Sequence, residues 1–500
     1  MIPKEKIFSI ILFLSLIVGI NTACQQKPDE IDFESLKDPI KIDSGYISGT
    51  IIGDIGKEVR IYRGIPYAAP PVGELRWKPP QPVKAWPGIR ECTAFGYSSP
   101  QNSNMSSIGT MDEDCLYLNV LIPAKKSSEN LPVMVYLHSG GYTRGSGSNP
   151  IINLPRLPQN GVVLVTVNMR LGLLGLLVHP LLSQESPNGV SGNYMFLDII
   201  AALQWVKKNI AAFGGNPENV TIFGESGGGM KAGCLLASPL TKGLFNRAIL
   251  VSGAPSGIPM ENLEVIGEKL FVKLGIDKDP VPLKSARSLS WERLLEAVKN
   301  LSNEPDMRGQ RWDAAVDGWF LTDTVPNIFK RGKQTSVPVM TSASLGELNG
   351  PGSLLMPSLI PEYVNILNGV NKVGEKGYAC IFDQVPSKWK EEGCVSFHAL
   401  ILAYIFGDWD NTSGFLRDMY MAPNFAKSAG AKSLDPGLTE IDKRVSENMM
   451  QMLVQFARTG NPSVKGLVEW PAYDSEQDQY LYISDTLEVK AGFSTVAQGK

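Results

Sequence analysis

Residues Val220–Phe223 of this 500-residue chain form a short apolar, β-branched run. They lead directly into Gly224-Glu225-Ser226-Gly227-Gly228-Gly229, and Met230–Leu236 then continues in residues that suit a helix. A strand that turns into a helix over so few residues restricts the architecture, because each must bury one face against the other. Further strand-like runs recur at Leu131–Leu137, Val162–Asn168, Arg247–Ser252, Val337–Ser342 and Gln479–Ser484. Several are apolar throughout rather than alternating, as strands covered on both faces require. Helical stretches lie between them. Asp198–Phe213 carries a 3.6-residue apolar stripe with Asp198 as its expected N-cap, and Ser290 is the expected cap of a helix from Trp291. The expected fold is α/β, with a central, mostly parallel sheet flanked by helices. Residues 255–330, poor in strand signals, read as a helical insertion over the sheet, and residues 350–435 as a second one.

Three readings compete for the glycines. Gly224 and Gly229 have the spacing of a phosphate-binding loop, but Met230 stands where that loop needs lysine, and Ala232 follows Lys231. A plain glycine turn is the second reading. The third is a nucleophile elbow, Gly224-x-Ser226-x-Gly228, in which the serine occupies a strained turn and its close neighbours must be small. An elbow demands an oxyanion loop upstream and an acid and a histidine downstream. Upstream, Leu131–Leu137 ends in His138-Ser139-Gly140-Gly141. The N–H groups of Gly140, Gly141 and Gly227 are the candidate oxyanion donors. The chain has three histidines, His138, His179 and His398, of which His398 alone follows Ser226. His179, before Pro180, reads as a structural loop residue. For the acid, Glu347 follows Val337–Ser342, with Asp317 and Asp408 as alternatives.

The formal net charge is −3 and no Lys/Arg-rich run occurs, so nothing points to nucleic acid. The six cysteines include no CxxC pair, which argues against a zinc site, and no other metal or cofactor is expected. Lys4 and Lys6 precede an apolar run, Ile7–Ile20, that is shorter than the roughly 20 residues a membrane span needs. Residues 1–23 therefore read as a signal peptide. Cys24, directly after it, resembles a bacterial lipidation site, although Asn21 stands where leucine is usual. The expected product is exported: anchored through Cys24 in the periplasm or on the cell surface, or otherwise secreted. Residues 24–42 form the expected tether and 43–500 a single domain. Export permits disulfides. Cys92 and Cys115 flank a polar stretch that a bridge would close. Cys380–Cys394 is a second possible bridge, and Cys234 is expected to be a buried free thiol. Oligomeric state is not legible.

At these residues the chain resembles the type-B carboxylesterase and lipase family of the α/β-hydrolase fold. The resemblance covers nearly all of the expected mature chain. It rests on Tyr62–Pro82, on "EDCLYLNV" (Glu113–Val120) and "FGESGGG" (Phe223–Gly229), and on "NMRLG", "GVSGNYMFLD", "FARTGNP" and "WPAYD". It implies Ser226 as nucleophile, Glu347 as the family's glutamate, nine residues after Pro338, and His398 as its histidine. It also supports the Cys92–Cys115 bridge. Three positions depart from the family pattern: Ser139 replaces the first glycine of the usual HGGG, Gly227 replaces a more frequent alanine, and Gly346 stands where an acid often precedes the glutamate.

What this implies is hydrolysis of a small-molecule carboxylic ester through an acyl-enzyme. Amide, carbamate or thioester hydrolysis on the same machinery is an alternative. A catalytically inactive surface binding protein on the same fold is an alternative of another class. "DAAVDGWFLTD" (Asp313–Asp323) and "PGSLLMPSLIPEYVNILNG" (Pro351–Gly369) are expected either to line the acyl and alcohol pockets or to pack the core.

Overall fold

In the computed structural model, strands β1 (Thr50–Ile52), β2 (Val59–Pro66), β3 (Tyr117–Pro123), β4 (Leu131–Leu137), β5 (Val163–Val167), β6 (Gly215–Glu225), β7 (Arg247–Val251), β8 (Val339–Ser344), β9 (Gly377–Phe382), β10 (Gln479–Ile483) and β11 (Leu487–Ala491) join into one sheet. Their order is β11-β10-β9-β8-β7-β6-β4-β5-β3-β2-β1. Every pair from β10 to β5 is parallel. The edges are antiparallel: β11 on β10 at one side, and β3, β2 and β1 at the other. The structure describes residues 38–102, 108–123, 129–307, 311–351, 356–407 and 425–498. The expected signal peptide, Cys24 and Asp408 lie outside the described residues. Ile40–Ile42, at the end of the expected tether, already pairs with Gly45–Ser48. No helix among the described residues is long and apolar enough to cross a membrane.

The uniformly apolar strands have a simple cause. Side chains alternate between sheet faces, and here each face has its own core. Val133, Val135, Leu137, Val163, Val165, Val220 and Ile222 pack on one face with helices α1 (Tyr194–Asn209) and α2 (Gly227–Ala237). Met134, Tyr136, Leu164, Phe223 and Ile249 pack on the other, against Ile401–Phe406 and Glu440–Thr459.

Helix α1 corrects one expectation. It starts at Tyr194, with Asn193 at φ 56 as N-cap, so Asp198 lies inside the helix. The first turn reads Tyr-Met-Phe-Leu and is buried, which hides the true start from an amphipathic pattern. Asp198 instead pairs with Arg170, Nη2–Oδ1 at 2.6 Å and Nε–Oδ2 at 2.8 Å, and both side chains are buried. Asp198→Asn removes the charge and leaves a buried guanidinium unpaired. Such a break costs about 3–5 kcal/mol, so the urea midpoint falls clearly below wild type; an unchanged midpoint would contradict this account.

The Ser290 cap is present, its Oγ accepting from Arg293 N at 3.3 Å. Helices Met260–Leu274, Pro282–Ser288 and Trp291–Ser302 occupy the first expected insertion. The second is corrected: residues 350–435 contain β9, a central strand of the sheet. The disulfide expectations are also corrected. Cys92 and Cys115 are both buried free thiols, as are Cys380 and Cys394. Cys115 sits by Ser99 and the Arg170–Asp198 pair, whereas Cys92 is near Arg90 and Asp38. Cys234 is a buried free thiol, as expected.

Candidate active site

β6 ends at Glu225 and α2 begins at Gly227, leaving Ser226 alone at the junction. Its backbone adopts φ 54, ψ −120, a region that costs a non-glycine residue energy and persists only where surroundings enforce it. Those surroundings are visible. Ser226 N donates to Val251 O (2.8 Å) at the end of β7, and Ser226 O accepts from Met230 N (3.0 Å). The flanking glycines touch the end of β4: a Cβ on Gly228 would lie 2.0 Å from Leu137 O, and one on Gly224 2.5 Å from it. No larger residue fits either place. Ser226 stays partly exposed while Glu225 and Gly227 are buried, so solvent and substrate can reach the turn.

The loop after β4 packs onto this turn. Gly140 and Gly141 have φ of 96 and 62, and Gly140 O accepts from Arg144 N at 3.0 Å. Among the described residues, no protein acceptor takes the N–H of Gly140, Gly141 or Gly227. His138 Nδ1 lies 2.8 Å from Ser139 O, and because a carbonyl only accepts, the proton is assigned to Nδ1. Burial, with Lys231 adding to it, pushes this imidazole down to about 3, so His138 is neutral. Ser139 Oγ donates to Glu225 Oε2 at 2.6 Å. The serine that departs from the family glycine thus ties the loop to the residue beside Ser226.

The downstream partners come together from separate segments. His398 Nδ1 is 2.6 Å from Glu347 Oε2, and both side chains are buried. Glu347 sits in the first turn of helix Leu345–Asn349, where Ser344 and Glu347 form a capping box. Its Oε1 accepts from Ser344 N (2.7 Å) and from the Ser252 hydroxyl. Gly346 has a steric reason, since a Cβ there would lie 1.9 Å from Ser396 O. His398 Nε2 faces Glu225 Oε1 at 3.2 Å. Among the described residues, none hydrogen-bonds Ser226 Oγ, so the serine–imidazole contact is not made in this resting arrangement. Catalytic contacts commonly tighten only with substrate bound.

Burial pulls the His398 imidazole down, but the carboxylates of Glu225 and Glu347 outweigh it and hold it up at about 9. An imidazole must lose that proton before it can act as a base, so with His398 as base the acid limb of the pH–rate profile is expected to lie high. Glu225→Gln removes one of the opposing charges and lets burial act. The limb should then move to lower pH by about one unit or more. A pH profile of kcat/KM measures it, and an unmoved or raised limb would refute the assignment of Glu225.

The other candidates fall away from this centre. Asp317 accepts from Asn193 Nδ2 and from the N–H groups of Trp319, Phe320 and Leu321, and so holds a loop together. His179 accepts from Leu181 N (3.1 Å) and stacks on Phe271, as a structural histidine should. Phe320 and Leu321 are fully buried, with Phe320 stacked on Phe196, so this part of Asp313–Asp323 packs the core. Leu359, Ile360 and Tyr363 of the later segment are likewise buried.

The model of the carboxylesterase family matches residues 37–362 and 362–497. The chain belongs to the carboxylesterase family. This carboxylesterase is 31% identical over 490 residues to the para-nitrobenzyl esterase of Bacillus subtilis, covering 88% of this chain and 94% of the relative. It is 39% identical over 303 residues to the fumonisin B1 esterase of Sphingopyxis macrogoltabida, an alignment that spans 60% of this chain and 55% of that protein. Among solved structures, a para-nitrobenzyl esterase superposes with TM-score 0.75 at 30% identity, covering 90% of this chain and 97% of its own. The carboxylesterase of Geobacillus stearothermophilus does so with TM-score 0.74 at 28% identity, covering 92% and 99%. The fold of this carboxylesterase is accordingly the α/β-hydrolase fold.

Sequence reasoning missed Glu225, Ser252 and Lys231. Glu225 had a signal, a carboxylate adjoining the candidate nucleophile. Lys231 had one too: a single cation in a helix otherwise made of small and apolar residues.

Proposed function

We propose that this carboxylesterase hydrolyses carboxylic esters through a Ser226–His398–Glu347 triad. His398 takes the Ser226 proton as Oγ attacks the ester carbonyl, and Glu347 orients the imidazole through Nδ1–H and stabilises its cation. The carbonyl oxygen becomes an oxyanion that accepts from the N–H groups of Gly140, Gly141 and Gly227. Collapse of this intermediate expels the alcohol, which leaves with the proton from His398. Water then attacks the acyl-enzyme, giving its proton to His398, and collapse returns a proton to Ser226 Oγ as the acid departs. Side chains and water carry every proton and electron pair in this sequence.

The observation that carries the reading is Ser226 at positive φ between β6 and α2, partly exposed, with a buried His398–Glu347 pair contributed from later in the chain. The names of the relatives support esters as the substrate class. A fluorophosphonate reacts with an activated serine, and the expected result is one adduct, mapped by mass spectrometry to the Ser226 peptide and prevented by excess p-nitrophenyl ester. Labelling elsewhere, or none, would remove the proposal. Matched ester and amide substrates separate ester hydrolysis from its alternatives, with the ester expected to be cleaved far faster.

A further inference from the structure

One buried charge has no part in the steps above. Lys231, in the second turn of α2, is fully buried, and its Nζ donates to His138 O at 3.0 Å and to Gly141 O at 2.8 Å. The ammonium lies 5.8 Å from the centre of the Tyr142 ring. Burial pushes it down to about 7, against the opposing influence of Cys234 and Glu225. Burying an amine is costly unless its N–H groups are hydrogen-bonded, and charged or neutral Nζ has donors for both carbonyls. The two carbonyls it holds bracket Ser139 and Gly140, so one side-chain nitrogen ties the oxyanion loop down at both ends.

The rest of the loop is built around that clamp. His138 Nδ1–H binds Ser139 O, the carbonyl of the peptide whose N–H belongs to Gly140. Arg144 N–H binds Gly140 O, the carbonyl of the peptide whose N–H belongs to Gly141. Accepting a hydrogen bond at the carbonyl polarises a peptide and strengthens its N–H as a donor. Gly227 completes the arrangement. A Cβ there would lie 2.2 Å from Gly141 O, the atom that Lys231 grips. The family's usual alanine is therefore incompatible with the loop where Lys231 holds it, and the two residues belong to one device.

We propose that Lys231 is a positioning residue for ester hydrolysis, its Nζ clamping the carbonyls of His138 and Gly141 so that the N–H groups of Gly140 and Gly141 meet the oxyanion. This rests on the reading of Ser226 as nucleophile. The clamp acts on the transition state more than on the ground state, because the donors must match the oxyanion and not the ester carbonyl. Its removal should lower kcat and leave KM nearly unchanged.

The test compares wild type with Lys231→Met, using a p-nitrophenyl ester and an aryl trifluoromethyl ketone. Ser226 Oγ adds to the ketone carbon, its proton passes to His398, and the resulting hemiketal oxyanion occupies the oxyanion hole. Loss of one donor typically lowers kcat by about 10²–10³. The expected result is a fall in kcat per titrated site of about 10²-fold, KM within about threefold, and a ketone Ki raised by the same factor as kcat/KM falls. A merely structural lysine would lower the melting temperature while kcat per titrated site and ketone affinity stayed within about threefold of wild type. That outcome overturns the proposal, as does a loss confined to KM. If Lys231→Met does not fold, Lys231→Gln keeps N–H donors at similar length and should show a smaller loss with the same parallel between kcat/KM and ketone Ki. A wild-type enzyme that neither cleaves the ester nor binds the ketone would refute the role of Ser226, a result distinct from failure of the clamp.

Discussion

Ser226→Ala is expected to lower kcat for p-nitrophenyl ester hydrolysis by about 10⁴–10⁶ and to abolish fluorophosphonate labelling. That corresponds to about 5–8 kcal/mol of lost transition-state stabilisation. The size follows from the proposed mechanism, in which no acyl-enzyme forms without Oγ and His398 can act only on water. A residual rate above water is expected, because the N–H groups of Gly140, Gly141 and Gly227 remain free to hold an oxyanion. Folding should be little affected. Among the described residues Ser226 Oγ makes no hydrogen bond, and the backbone bonds to Val251 O and Met230 N are unaltered by alanine. Far-UV circular dichroism and the melting temperature should match wild type. Undiminished activity in a folded Ser226→Ala protein would end the assignment.

Glu347→Gln should lower kcat by about 10⁴ with little change in KM. The carboxylate offers acceptors in two directions: Oε2 to His398 Nδ1–H, and Oε1 to Ser344 N–H and the Ser252 hydroxyl. A glutamine has only one oxygen. The backbone N–H of Ser344 cannot turn away, so the amide oxygen is held there and the NH2 faces His398. Nδ1 must then accept, which places the imidazole proton on Nε2, the nitrogen proposed to receive the Ser226 proton. The substitution therefore imposes the wrong tautomer while keeping the shape of the site. Proton NMR reports it directly, as loss of the low-field Nδ1–H resonance. A rate within tenfold of wild type would show that Glu347 does not govern the imidazole.

The parts of this protein that were legible in the sequence share a short range. Leu131–Leu137 was delimited correctly because a strand buried on both faces is apolar at every position. The Ser290 cap and the turn at Ser226 were legible because caps and elbows are set by residues within a few positions of one another. His398 was singled out by scarcity, since one histidine follows Ser226, and the structure pairs it with Glu347. The failures have local causes as well. Asp198 looked like a cap because the buried first turn of α1 hides the helix start, and β9 was lost because a six-residue strand inside a helical region carries little pattern. The paired cysteines misled because spacing along the chain does not say whether two thiols join, and Cys92, Cys115, Cys380 and Cys394 are all free.

Residues 220–236 alone require a strand that turns into a helix around one serine, because glycines and apolar periodicity act through nearest neighbours. What surrounds that serine follows from contacts between distant segments. The Ser139–Glu225 bond joins residues 86 apart, the Lys231–Gly141 bond residues 90 apart, and the His398–Glu347 bond residues 51 apart. Such contacts depend on how β4, β6 and β8 lie in the sheet and where their following loops converge, and no local pattern of residues encodes that meeting.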